Sequence, residues 1–157
     1  GTAWADNIVA QTIASRNDWD VLSIMLGTNS LGGTDANGKP ETAAQYTAKY
    51  DAFLSTIRAA APAKPILCVT PILNRADLDR GSNQNGERPE LYREGLTRVI
   101  RQRQNGDTNL HLSDGLAMIN DPLFLLVTDR VHPNDAGMHR IANGVADALK
   151  PLLANLR

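Results

Sequence analysis

The sequence predicts an α/β fold built on a parallel sheet wound with helices on both faces. Two patterns carry that expectation. Apolar stripes at helical spacing alternate along the chain with short, nearly continuous apolar runs, and such runs read as strands covered on both sides. The resulting order (helix, strand, helix, strand, helix, strand, helix) is that of an α/β layer fold. A third observation bounds it: the 157 residues show no repeat, linker or second unit, so a single domain over 1–157 is expected.

The elements follow in order. Residues 3–16 place Trp4, Ile8, Val9 and Ile13 on one helical face, and Asn17-Asp18 ends that helix. Val21–Leu26 is the first apolar run and reads as a strand covered on both faces. Gly27 to Lys39 reads as a loop. Pro40 and Glu41 open a second helix, where proline is tolerated and a carboxylate suits the positive end of the dipole. Its buried stripe is Tyr46, Tyr50, Phe53, Leu54 and Ile57, and it stops before Pro62. Ile66–Thr70 is the second buried strand, and 73–89 a polar loop. Pro89 starts a helix with Leu91, Leu96, Val99 and Ile100 inward and Arg93, Arg98, Arg101 and Arg103 outward. Asn109–Leu112 is a third, short strand. Ser113–Val131 has no clear pattern. Asn134 caps a last helix whose stripe is Met138, Ile141, Ala142, Val145, Leu149 and Leu152.

Composition excludes several functions. Hydrophobic residues are 42% and charged residues 21%, as in an ordered globular chain. A net charge of −1 argues against a general electrostatic grip on nucleic acid or on an anionic membrane. No apolar run approaches the roughly 18 residues that span a bilayer. The single cysteine, Cys68, lies in an apolar run and reads as a buried, inert thiol. One cysteine and three scattered histidines make no metal-ligand cluster. Neither Gly-x-Gly-x-x-Gly nor a phosphate-loop pattern is present, which weakens a nucleotide-binding assignment.

Two segments carry chemistry. Gly27-Thr28-Asn29-Ser30 follows the first strand at its carboxyl end, where ligands gather in open α/β sheets. Asn29 can aim an amide at a developing oxyanion; the plainer assignment is a turn. Asp129-Arg130-Val131-His132-Pro133 precedes the last helix. An aspartate three residues before a histidine can accept its N–H, fix its tautomer and stabilise the imidazolium. The plainer assignment is a capping loop with a nearby surface charge.

Together and in this order, the two segments resemble the SGNH (GDSL-type) hydrolase family of esterases and lipases. Gly27-Thr28-Asn29 is similar to the family's Gly-x-Asn block, and Asp129-Arg130-Val131-His132-Pro133 to its Asp-x-x-His-Pro block. Val69-Thr70-Pro71-Ile72 is similar to the strand end between them, and the likeness covers about residues 1–155. The resemblance implies a three-layer, flavodoxin-like sheet and a Ser-His-Asp acyl-enzyme mechanism without metal or organic cofactor. In it, Asp129 and His132 are the catalytic residues and Asn29 the oxyanion donor. A polar, Asn- and Gly-rich character in the loops at 31–39 and 73–88 suggests a saccharide or other polar alcohol as the ester's leaving group.

The departures matter as much. No Gly-Asp-Ser occurs, so the family's nucleophile is not identifiable, and its first strand, with the second, is expected to lie outside this chain. Ser30 stands where the family has aspartate. A loop-shaping hydrogen bond is favoured for it over a role as substitute nucleophile. The alternative function is a noncatalytic α/β module that has lost the serine. An unpaired edge on the strand at 20–26 is expected to self-associate, or to take strands from a partner segment. His111 and His139 read as structural, and Trp19 as packing.

Overall fold

The computed structural model describes residues 4–16, 18–33 and 38–154. Three parallel strands, β1 (Leu22–Met25), β2 (Ile66–Val69) and β3 (Leu110–Ser113), form a sheet in the order β1-β2-β3. Leu22 lies opposite Ile66, and Ile66 opposite Leu110. Each connection carries helices, as parallel pairing requires.

One face packs on α1 (Asn7–Ala14), α3 (Ala43–Ala60) and α5 (Pro89–Gln104). Ile24, Ile66, Cys68 and Leu110 join Tyr46, Tyr50, Ile57, Tyr92, Leu96 and Ile100 in this core. The other face packs on α6 (Gly115–Met118) and α7 (Asp135–Ala154), where Leu67 and Val69 meet Met118, Ile119 and Ile141. The alternation of side chains along β2 sends neighbours into opposite cores, so all four of its residues are buried. Helices therefore cover both faces of a parallel sheet, as expected.

The second helix has its whole expected stripe buried. It starts at Ala43 because Thr42 and Gln45 form a reciprocal cap, ahead of which Pro40 and Glu41 remain outside the helix. Cys68 is fully buried, and burial pushes its thiol up to about 12. Trp19 packs at the edge of the first core with the Lys64 ammonium 4.6 Å from its ring centre.

Several expectations are corrected. The first strand is covered on one face only: Ile24 is buried, whereas Ser23 and Met25 point to the opposite, open side. The reason is that α7 lies over β2 and its flank and leaves β1, an edge strand, bare on that face. The loop at 27–39 contains a short helix, α2 (Thr28–Gly32), and the loop at 73–89 another, α4 (Arg75–Leu78). Ile8 is 71% exposed, because α1 begins at Asn7 behind its Asp6 cap and turns Ala10 into the core instead. Leu91 is exposed because the buried line of α5 runs Tyr92, Leu96, Ile100. Met138 and Ala142 are likewise exposed, and the inner line of α7 passes through Gly137 and Ile141. Arg93 is buried, not outward. Its guanidinium donates to the Pro71 and Ile72 carbonyls and pairs with Asp77 at 2.7 Å. Asn17 and residues 34–37 lie outside the described residues.

Candidate active site

The site forms at the carboxyl ends of β1 and β2, where open α/β sheets collect functional groups. Glycine shapes the first wall. Gly27 has φ +125°, which L side chains rarely adopt, and an added Cβ would lie 2.7 Å from Pro71 Cγ and 2.8 Å from the Tyr46 hydroxyl. The tight approach lets Tyr46 donate to the Leu26 carbonyl at 3.0 Å and starts α2 at once. Asn29, in the first turn of α2, is partly exposed, and its amide has no hydrogen-bond partner among the described residues.

The second wall is the turn from Leu125 to Asn134. Leu126 donates to the His132 carbonyl at 2.8 Å, and Arg130 donates back to Leu126 at 2.8 Å. Arg130 takes a left-handed φ of 55°, a conformation costing about 1–2 kcal/mol for a non-glycine residue. That reversal turns the Val131 and His132 amides onto Asp129 Oδ1, at 2.8 and 3.0 Å. Asp79 holds Arg130 in place through two bonds of 2.9 and 3.0 Å.

Asp129 Oδ2 lies 2.7 Å from His132 Nδ1. The backbone N–H groups of His132 and Val131, and then the His132 ring, lower the Asp129 carboxyl to about 2. Asp129 is therefore a carboxylate at neutral pH. It fixes the proton on Nδ1 and leaves the Nε2 lone pair for another group. The His132 side chain is 73% exposed. Beyond it Asn134 accepts from Gly137 N at 2.9 Å and donates to the Leu123 carbonyl at 2.7 Å, capping α7 and clamping the turn. Gly137 is needed there, since an added Cβ would lie 2.1 Å from the Phe124 carbonyl oxygen.

His132 and Asn29 line one cleft of about 330 Å³, together with Gly27, Ile72, Met138 and Ile141. The structure thus brings all three of the residues singled out in the sequence, Asn29, Asp129 and His132, to one place. No serine lines this cleft among the described residues. Ser30 is wholly buried, and its hydroxyl has no hydrogen-bond partner among the described residues. It does not bond the loop as expected, because α2 carries position 30 to its inner face.

A second cleft of about 410 Å³ shares Thr28 and Val131 with the first and reaches Asp129. Leu31, Gly33, Pro40, Asn74, Arg75 and Gln84 are among its walls, so parts of both polar loops do meet here. Sequence reasoning missed Asn74 and its support. The spacing Asn74-x-x-Asp77 was a visible capping signal. Nothing in it showed that Arg93, sixteen residues on, would lock Asp77 and the chain from Pro71. His111 lies on β3 and His139 on the outer face of α7, away from both clefts.

The model of the GDSL-like lipase/acylhydrolase family matches residues 2–140. No curated protein matches the sequence. Among solved structures, a salicylyl-acyltransferase from a tetracycline biosynthetic pathway superimposes with a TM-score of 0.74 at 21% identity, over 94% of this chain and 42% of the other. A carbohydrate esterase of family 3 from Talaromyces cellulolyticus does so with a TM-score of 0.72 at 20% identity, over 98% of this chain and 70% of the other. An acetyl esterase variant crystallised with acetate gives 0.68 at 21%, over 94% and 69%. At these identities the likeness is one of fold, and the chain spans 42% of the first of these structures. The family match extends over both segments that form the first cleft, and by it the chain belongs to the GDSL-like lipase/acylhydrolase family.

Proposed function

We propose that this domain supplies the acid–base and oxyanion groups of a serine esterase that removes short acyl groups from saccharides. The observation that carries this is the Asp129–His132 pair facing the same cleft as the unpartnered Asn29 amide. A serine Oγ attacks the ester carbonyl while His132 Nε2 takes its proton. Asn29 and backbone N–H groups hold the resulting oxyanion. The tetrahedral adduct expels the alcohol, to which His132 returns the proton. Water then attacks the acyl-serine with His132 again as base, which releases the acid and frees the serine. Asp129 orients the ring and stabilises its charged form throughout.

The serine comes from chain other than the residues lining the cleft. The open edge of β1 is where it enters: a parallel strand added there ends beside Leu26 and Gly27, next to His132 and Asn29. That strand belongs to a further segment of the natural polypeptide or to a partner.

Fluorophosphonate labelling with peptide mapping tests this, on the 157 residues and on the natural polypeptide that carries them. The expected result is no adduct on the 157 residues, and in the natural polypeptide one labelled serine outside them, lost with His132→Ala. An adduct on Ser30 overturns the placement of the nucleophile. A folded natural polypeptide with no adduct overturns the esterase assignment and leaves a noncatalytic binding module.

A further inference from the structure

We propose that Asp79 is a positioning residue for the Asp129–His132 pair: through Arg130 it locks the left-handed turn on which the pair is built. The proposal rests on the esterase assignment for what the pair does, and on the geometry of the turn for how the pair is held.

Among the described residues, two that are not glycine have a positive φ: Arg80 at 49° and Arg130 at 55°. Side chains disfavour that region, and such residues persist where their surroundings over-determine them. These two stand at the two ends of one ion pair. Arg130 Nη1 and Nη2 donate to Asp79 Oδ1 and Oδ2 at 2.9 and 3.0 Å, the fork that matches a guanidinium to a carboxylate. Arg80 follows Asp79 and reverses the chain out of α4, where Gly81 N donates to the Ala76 carbonyl at 2.9 Å. That hooked helix end fixes the backbone of Asp79 beside the turn. Arg75, on the wall of the second cleft, stands 3.9 Å from the same carboxylate.

Residue 130 is the hinge of the catalytic turn. Its left-handed φ brings the Val131 and His132 amides onto Asp129 Oδ1 at 2.8 and 3.0 Å and leaves Oδ2 for the ring at 2.7 Å. In the right-handed or extended region both amides would turn away, and the carboxylate would be free to rotate off the ring. Two things hold the hinge: its own N–H on the Leu126 carbonyl at 2.8 Å, and its side chain on Asp79. The left-handed region is disfavoured about five- to thirtyfold for a residue with a side chain. A half-exposed ion pair is worth up to about fivefold, so the tie is of the size that decides how often the turn opens. The long Arg130 side chain follows small movements of α4, and the tie therefore tolerates shifts of the interior.

The test compares Asp79→Ala and Asp79→Glu with the unaltered chain by NMR. The Asp79 side chain bonds only Arg130 and approaches Arg75, so Asp79→Ala leaves the backbone bonds that end α4 in place. In Asp79→Ala the Val131 and His132 amides should exchange with solvent about fivefold faster, the α3 amides should not change, and the Asp129 midpoint should rise from about 2. Asp79→Glu, which still reaches the guanidinium, should restore both readings. The sign is diagnostic: removing a nearby negative charge by itself lowers a carboxyl's midpoint, so a rise reports amides that have left Asp129. Unchanged exchange, or a midpoint that stays or falls, overturns the proposal. In the natural polypeptide Asp79→Ala should slow fluorophosphonate labelling about fivefold. Labelling at the unaltered rate while the amides respond overturns the positioning role. A natural polypeptide that never labels, with amides that respond, overturns the esterase assignment and keeps the tie.

Discussion

The two halves of the site are held by different means. Asp129 and His132 are joined by bonds between residues two and three apart, in a turn that stands open to solvent. Asn29 and Asn74 are held by bonds that cross the fold, from Tyr46 to the Leu26 carbonyl over 20 residues and from Arg93 to the Pro71 carbonyl over 22. A locally built half survives small shifts in packing and depends on the turn. A half built over distance depends on the core and stays rigid as long as the core does. The Asp129–His132 pair thus depends on its own turn, and the segments that carry the two asparagines depend on the packed interior.

The largest expected effect comes from breaking the fixed half. Arg93→Ala strands the Asp77 carboxylate and two buried carbonyls, and should destabilise the domain by about 3–5 kcal/mol. Denaturant unfolding measures that loss. NMR of a sample still folded should show the Pro71–Asp77 segment shifted and the Asp129–His132 bond intact. Loss of both together would mean that the halves are one unit.

Gly137→Ala attacks the local half at its clamp. The new Cβ meets the Phe124 carbonyl, a backbone atom that cannot swing away, so α7 must move off the turn. The expected cost is about 1–3 kcal/mol, with the His132 signals perturbed and the Asn74 signals left in place. An unchanged His132 environment would show that the turn stands without its helix.

The smallest effect is a titration. The Asp129 carboxyl should titrate near about 2 and remain well below the ordinary carboxylate range in His132→Ala, because the first causes of its shift are the two backbone N–H groups, which the substitution leaves. The sign follows from a depressed pKa in the folded state. The contribution of Asp129 to stability is fully present above the ordinary carboxylate range and is lost as pH falls through it toward 2. Carbon-detected NMR of the side chain reads the midpoint. A return to an ordinary value in His132→Ala would make the ring, not the turn, the main cause.

Much of the fold was legible because patterns of short range encode it. The buried run Ile66–Val69 and the stripe of α3 follow from periodicity alone. Where periodicity misled, tertiary packing was the reason. Val21–Leu26 has the run of a strand covered on both sides, yet an apolar run cannot tell whether a second helix lies over it, and Ser23 and Met25 are open. Arg93 has the chemistry of a surface residue, and it is buried because four oxygens, the Pro71 and Ile72 carbonyls and both Asp77 carboxylate oxygens, surround its guanidinium. Residues 31–33 and 83–84 line one cleft, and the Asn83 bonds to Leu31 and Tyr92 that tie these segments together are announced by no local pattern.

The sequence by itself determined the α/β alternation, the two motifs and the Asp129–His132 pair, because a helical stripe, a buried run and a three-residue turn are set by neighbours along the chain. Tertiary structure alone decided that Asn29 shares a cleft with His132, that Ser30 is buried away from it, and that the Asn74 amide is buried beneath a second cleft beside it. Those outcomes depend on which surfaces the helices cover and which carbonyls reach which donors, and both are settled only when distant segments pack together.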